Sequence, residues 1–341
     1  MKDVKNYTLK DLKELLQKQG FSNFSAQQVF DWIYRKNVES FDSMSNLSKE
    51  IRGFLKENFC FSKVKLSKQE VSVDGTKKFL FTLEDESSIE TVVIPKKDRN
   101  TLCLSTQVGC KFNCSFCLSG QSGFKRNLKV SEIINQYLEA GKLIAPESIT
   151  NIVFMGIGEP LDNFVNLIKS IQVLTETKGI NFSKRRISIS TCGLIPEIEK
   201  LIDLKLGVKL SISLHSVDSK KRTKLMPINR RYPLEELIKA ARSFSRKEKH
   251  LITFEYALLR GYNTSKQDAQ ALARILRGMR YKVNLISLNC LDAGYKSPDQ
   301  AELDSFRKEL KRAGVFFTLR ESRGSDINAA CGQLRASGLN K

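Results

Sequence analysis

From Thr101 to Arg320 short apolar runs alternate with amphipathic stretches, and this alternation narrows the possible folds more than any other feature of the chain. The runs are TLCLS, NIVFMG, RRISIST, VKLSISLH, LITFEYALL, KVNLISL and VFFTLR. Between them VSEIINQYLEAGKLI, DNFVNLIKSIQVLTE, PLEELIKAARSF and DAQALARILRGM repeat apolar residues at the period of a helix. Strand–helix repetition of this kind builds a parallel sheet in an α/β fold, open or curved into a barrel. Periodicity does not choose between those shapes.

The first hundred residues follow other rules. Residues 8 to 58 read as three short amphipathic helices, marked by Leu9, Leu12, Leu15 and Leu16, by Val29, Phe30, Ile33 and Tyr34 beginning after Ser25, and by Leu47, Ile51, Phe54 and Leu55. Helices this short need packing partners, so a small bundle is expected. Residues 63 to 95 change to antiparallel strands, VKLSKQEVSV, KKFLFTL and SSIETVVIP, with a hairpin at Asp74-Gly75. Pro95 and KKDRN mark a boundary. The expected organisation is a helical accessory domain over 1–60, a β extension over 61–98 and an α/β core over 99–341.

Lys and Arg outnumber Asp and Glu by 57 to 37, a formal charge of +20. Such a field favours polyanions. Lys125-Arg126, Lys184-Arg185-Arg186, Lys220-Lys221-Arg222 and Arg230-Arg231 lie near presumed element boundaries. No apolar run has the length of a membrane span, and the N-terminus lacks an apolar signal region. Eight cysteines without an extracellular address suggest a reducing compartment, so a cytoplasmic protein is expected.

Three of those cysteines, Cys110, Cys114 and Cys117, fall within eight residues as C-x3-C-x2-C in VGCKFNCSFCLSG. A zinc site wants four protein ligands, and the two histidines, His215 and His250, are distant in sequence. Iron–sulfur clusters are held by cysteine thiolates. Three close thiolates leave one iron of a 4Fe-4S cluster open, and in this the loop resembles the radical S-adenosylmethionine (SAM) enzymes. The alternative is a non-catalytic RNA-binding protein using these cysteines structurally, around zinc.

Polar or glycine-rich punctuation follows several runs, where active sites collect in parallel α/β folds. It comprises Gly156-Ile157-Gly158-Glu159-Pro160, Ser190-Thr191-Cys192-Gly193, Ser213-Leu214-His215 and Asn289. From SIETVVIP through TLCLSTQVGCKFNCSFC, GQSGFKRN, FMGIGEPLDN, KRRISISTCG, SISLHS and LMPIN to RGSDINAACGQL, the chain resembles the RlmN-type adenine-C2 RNA methyltransferases. The likeness covers nearly the full length.

The resemblance implies a partial (β/α)6 radical SAM barrel, preceded by a small helical domain and a short β extension that bind RNA. It implies one 4Fe-4S cluster on Cys110, Cys114 and Cys117, and two molecules of S-adenosyl-L-methionine per turnover. Gly158, Glu159, Ser190, Ser213, Leu214, His215 and Asn289 would bind that cofactor. Cys331 would carry the methyl group, Cys103 would close a transient disulfide with it, and Glu90 would accept the C2 proton. A carrier makes chemical sense, because electron-poor adenine C2 cannot attack a sulfonium methyl. The implied substrates are the peptidyl-transferase-centre adenine of 23S rRNA and the adenine just 3′ of the anticodon in tRNA. An external, flavodoxin-like one-electron donor is implied, with no membrane and a monomeric state. The nearest rival is the Cfr type, which methylates C8.

Without the resemblance, Cys331 between two alanines and a glycine reads as a small buried residue, Cys103 as a strand cysteine, His215 as a packing histidine and Glu90 as a solvated carboxylate. Asn328 stands where aspartate is usual in the family, Cys290 where proline is common, and Cys192 where a serine or aliphatic residue is common. Cys60 has no catalytic part in this reading.

Overall fold

The structure, a computed structural model, describes residues 1–248, 251–288 and 294–335. Three helices open the chain: α1 (Leu9–Lys18), α2 (Asn23–Tyr34) and α3 (Lys49–Asn58). Thr8 and Asp11 form a reciprocal capping box that starts α1. The second helix begins three residues earlier than its apolar pattern suggests, because Ser22 Oγ accepts the Ser25 N–H at 3.2 Å and so acts as the N-cap. Capping, not periodicity, sets this start.

One sheet of ten strands among the described residues runs through the rest. In chain order these are β1 (Lys65–Val71), β2 (Lys77–Thr82), β3 (Ser88–Lys96) and β4 (Arg99–Cys103). Off the sheet, β5 (Gln107–Gly109) and β6 (Phe124–Asn127) form an antiparallel pair flanking the cysteine loop. The sheet resumes with β7 (Asn151–Phe154), β8 (Ile187–Thr191), β9 (Lys209–Ser213), β10 (Ile252–Leu258), β11 (Tyr281–Ser287) and β12 (Phe317–Arg320). Its order is β12-β11-β10-β9-β8-β7-β4-β3-β2-β1. From β4 to β12 every neighbour is parallel, and from β4 to β1 every neighbour is antiparallel.

The alternating core is therefore an α/β sheet of seven parallel strands. The residue range 97–98 is only a turn, since Lys96 pairs with Arg99 and Pro95 with Asn100. Pro95 lies inside β3, so the β extension continues the core sheet. Short α4 (Leu118–Gln121) closes the cysteine loop. Helices α5 (Val130–Leu143), α6 (Phe164–Thr175), α7 (Ile195–Leu204), α8 (Ser219–Leu225), α9 (Leu234–Glu248), α10 (Lys266–Leu276) and α11 (Gln300–Arg312) connect the parallel strands. No described helix is long and apolar enough to cross a membrane.

The N-terminal helices share the barrel's apolar core. Arg35 Nε donates to Gly179 O at 3.1 Å, Lys169 meets Asp11 at 2.9 Å, and the Ser131 N–H donates to Asn6 Oδ1 at 2.9 Å. These contacts fix the bundle against α5 and α6.

Gly109 sets the entry to the cysteine loop. Its φ of +75° is left-handed, and a Cβ there would lie 1.9 Å from Gly123 O, whose carbonyl accepts the Cys110 N–H at 2.7 Å. Gly109→Ala is expected to cost about 1–3 kcal/mol in backbone strain alone. It should also lower iron incorporation on reconstitution, read by metal analysis beside a thermal melt.

Candidate active site

The cysteine loop lies over the C-terminal ends of the parallel strands. Its lid is the C-terminal segment. The Leu118 N–H donates to Gly332 O at 2.8 Å, and Ser119 Oγ donates to Leu334 O at 2.6 Å. Gly332 has a φ of +84°, and a Cβ there would sit 3.1 Å from Phe116 O, so this approach needs glycine. The extension's hairpin clamps the same segment from the other side. Asp74 accepts the Gly324 N–H at 2.9 Å, and Asp326 accepts from Ser72 Oγ at 2.6 Å and from the Val73 N–H at 3.2 Å. Asn328 adopts a left-handed φ of +52° that asparagine and aspartate both tolerate.

A cavity of about 170 Å³ lies beneath the loop, lined by Cys110, Cys114, Cys117 and Cys331 among others. Gly158, Glu159, Ser190, Ser213 and His215 also face it. Leu214 does not; it is fully buried, and its N–H donates to Glu255 O at 3.0 Å. Asn289 and Cys290 lie outside the described residues.

Glu159 is buried, and its two oxygens accept the Leu161 and Cys192 N–H groups at 3.1 and 2.7 Å. Burial pushes its carboxyl up to about 6. Cys192 is thereby fixed through its backbone, and its thiol is buried. His215 Nδ1 accepts the Ala257 N–H at 2.9 Å, and its ring packs edge-on against Phe116 at 4.5 Å. Burial lowers its pKa to about 3, so the ring is neutral.

The donor set suits a polynuclear cluster. Cys110, Cys114 and Cys117 line one cavity, and cysteine thiolates are the ligands that iron–sulfur clusters take. Burial pushes the Cys110 thiol up to about 12 and the Cys114 thiol well above its ordinary value, with neighbouring thiols adding to both. Such thiols ionise only beside added positive charge, which iron supplies.

A second cavity, of about 390 Å³, opens at the opposite ends of the strands. Met155, Glu255, Ile286, Arg320 and Cys331 line both cavities, so Cys331 stands at their junction. Cys103 lines the second cavity, packs against Ala329 and Leu334, and is pushed up to about 12 by burial. Cys103 and Cys331 are both free thiols. Arg99, Arg186, Lys209 and Lys282 face this space, and none has a salt bridge with a described residue.

Two residues escaped the sequence reading. Arg320, at the end of β12, lines both cavities beside Cys331 and interacts with it electrostatically. Glu255 is buried on β10; one oxygen accepts from Asn284 Nδ2 at 3.2 Å and the other has no partner. Its signal was a lone acid inside the apolar run LITFEYALL. The basic runs also divide unexpectedly. Arg126 is engaged by Asp85 and Glu132, and Arg222 is fully buried, so neither is a free surface charge. Asp85 and Cys192 O, 41 and 30 residues away from Arg126 and Arg222, are the partners that sequence spacing hid.

Glu90 is buried on β3, not solvated. It accepts the Arg335 N–H at 2.7 Å and meets Lys78 at 3.3 Å, while burial raises its carboxyl above the usual range. It lines neither cavity, but it holds the segment that bears Cys331.

A parallel α/β sheet capped by a three-cysteine loop, with those cysteines lining a cavity at the C-terminal strand ends, defines a radical SAM enzyme. The model of the Radical SAM superfamily matches residues 104–273, and that of the ribosomal RNA large subunit methyltransferase N-terminal domain matches residues 2–61. The probable dual-specificity RNA methyltransferase RlmN of Clostridium novyi is 44% identical over 98% of this chain and 98% of its own. The dual-specificity RNA methyltransferase RlmN of Desulfotalea psychrophila is 45% identical, over 97% and 94%. A crystal structure of a radical SAM methyltransferase from Sphaerobacter thermophilus superposes with a TM-score of 0.91 at 40% identity, covering 98% of this chain and 99% of that one. The chain belongs to the RlmN family of radical SAM RNA methyltransferases.

Removing Glu90 should loosen the Cys331 segment. Glu90→Ala is expected to speed iodoacetamide alkylation of Cys331 several-fold, read by peptide mass spectrometry. It should also destabilise the fold by about 1–3 kcal/mol through the unsatisfied Arg335 N–H.

Proposed function

We propose that this chain methylates C2 of adenine in RNA, with Cys331 as the methyl carrier. The position of Cys331 at the junction of the two cavities carries the reading. Its substrates are the peptidyl-transferase-centre adenine of 23S rRNA and the adenine 3′ of the anticodon in tRNA, a reading supported by the relatives named dual-specificity RNA methyltransferases. The unpaired cations of the second cavity suit RNA phosphates.

Cys110, Cys114 and Cys117 hold a 4Fe-4S cluster, while Gly158, Glu159, Ser190, Ser213, His215 and Asn289 form the surroundings of S-adenosyl-L-methionine, with buried Leu214 bonded to β10 instead of facing the cavity. Together these groups supply a 5′-deoxyadenosyl radical when bound. Glu159 offers a carboxylate to an ammonium group, and neutral His215 keeps the wall rigid without adding charge.

Cys331 takes a methyl group from a first S-adenosyl-L-methionine as a nucleophile, becoming a thioether. Loss of one hydrogen atom from that methyl leaves a carbon radical on the Cys331 side chain, which adds to C2. The adduct gives its C2 proton to Glu90 and one electron to an external acceptor. For this the Arg335 N–H must release the carboxylate. The Cys103 thiolate then attacks the Cys331 sulfur, the carbon–sulfur bond breaks, and the methyl carbon takes a proton. A two-electron reductant reopens the resulting disulfide. Buried Cys103 rests as a thiol, so Arg320, whose charge opposes that shift, favours the attacking form. We further propose a cytoplasmic monomer served by a flavodoxin-like electron donor.

Anaerobic reconstitution with reductant, 23S rRNA fragments and bulk tRNA tests this reading. 2-Methyladenosine is expected by mass spectrometry and should vanish in Cys331→Ala, whereas Cys103→Ala should accumulate a protein–RNA adduct. An 8-methyl product would overturn the choice of C2. For RNA binding, Arg186→Gln with Lys209→Gln should reduce the salt slope of affinity by about 0.7 for each phosphate that the variant no longer neutralises.

A further inference from the structure

Arg222 is a cation buried without an anion. The side chain, on α8, is fully inaccessible. Its Nη1 donates to Asn229 Oδ1 at 2.8 Å, and its Nη2 donates to Cys192 O at 2.9 Å and to Ser213 O at 3.1 Å. All three acceptors are neutral, Nε has no partner, and no described carboxylate forms a salt bridge with it. Glu159 is the nearby buried acid, but it spends its oxygens on the Cys192 and Leu161 N–H groups. Burial alone lowers Arg222 to about 10, opposed by Cys192 and Cys114.

A buried charge without a counter-charge is strongly unfavourable unless something else supplies the opposite sign. The cysteine loop is adjacent. Leu225 O, at the last residue of α8, accepts the Ser115 N–H at 2.9 Å, between Cys114 and Cys117. Met226, the next residue, lines the same cavity as the three cysteines. A four-iron cluster bound by three thiolates is net negative and gains one more negative charge on reduction. That group is the missing anion.

We infer that Arg222 is the positioning cation of the iron–sulfur site, favouring the reduced cluster and so raising its reduction potential; this rests on the reading that Cys110, Cys114 and Cys117 hold the cluster. The interaction crosses a dry interior, where a unit charge is felt strongly. Its hydrogen bonds to Cys192 O and Ser213 O hold the guanidinium in place, and Asn229 orients it from behind.

The test is an anaerobic redox titration of the reconstituted full-length protein, followed by electron paramagnetic resonance, with iron and sulfide content measured in parallel. Arg222→Met removes the charge. Asn229→Asp keeps the arginine but neutralises it at the 2.8 Å contact. Arg222→Lys retains a cation. At a fixed potential the ratio of reduced to oxidised cluster should fall about tenfold or more in the first two, a shift of at least about 59 mV for one electron. The lysine variant should stay near wild type.

Loss of the cluster in Arg222→Met and Asn229→Asp but not in Arg222→Lys also supports the assignment, since charge is then what the site requires. Full clusters with unchanged potentials in both charge-removing variants would overturn it and leave Arg222 a packing residue. Loss of the cluster in all three variants would do the same. Wild-type protein that assembles no cluster would instead overturn the cluster reading on which the assignment rests.

Discussion

The docking of residues 324–335 onto the cysteine loop is the constraint on which the site depends. Two hydrogen bonds tie Gly332 and Leu334 to Leu118 and Ser119, while Asp74 and Asp326 tie the same segment to the β1–β2 turn. Without them the irregular segment that bears Cys331 would lose most of its ties to the fold. With them Cys331 is held between two cavities, one walled by Cys110, Cys114 and Cys117 and one by cations without salt-bridge partners among the described residues. The antiparallel extension thus has a role that its surface position conceals. It is the far jaw of the clamp that holds Cys331 in place.

The two cavities divide the chemistry by charge. On one side, buried thiols and the buried Arg222 cation suit the anionic cluster proposed above. On the other, Arg99, Arg186, Lys209 and Lys282 leave a positive field without salt-bridge partners among the described residues, which suits the RNA-binding role proposed for it. Burial raises the Cys103, Cys110 and Cys114 thiols alike, so none of the three ionises easily in the resting protein.

Much of this was legible in the sequence, for identifiable reasons. Seven apolar runs became the seven parallel strands because buried strands announce themselves by continuous β-branched and aliphatic residues. The cysteine loop was legible because ligand spacing is local. Properties arising between distant segments were not. Arg222 sits in a basic run, and only the approach of Cys192 O, Ser213 O and Asn229 turns it inward. Glu90 looked like a surface acid until the Arg335 N–H and Lys78 closed on it. Pro95 suggested a boundary, yet β3 passes straight through it into the hairpin with β4. For the start of α2, the decisive group was a serine hydroxyl outside the apolar pattern.

The central claim is that the methyl group passes through Cys331. The most direct measurement loads the protein with isotopically labelled S-adenosyl-L-methionine, removes the free donor, and adds target RNA with unlabelled donor for one turnover. Peptide mass spectrometry should find the label on Cys331 beforehand, and nucleoside mass spectrometry should find it in the first methylated adenosine afterwards. First-turnover product without label, with the label still on Cys331 or never there, would contradict the account.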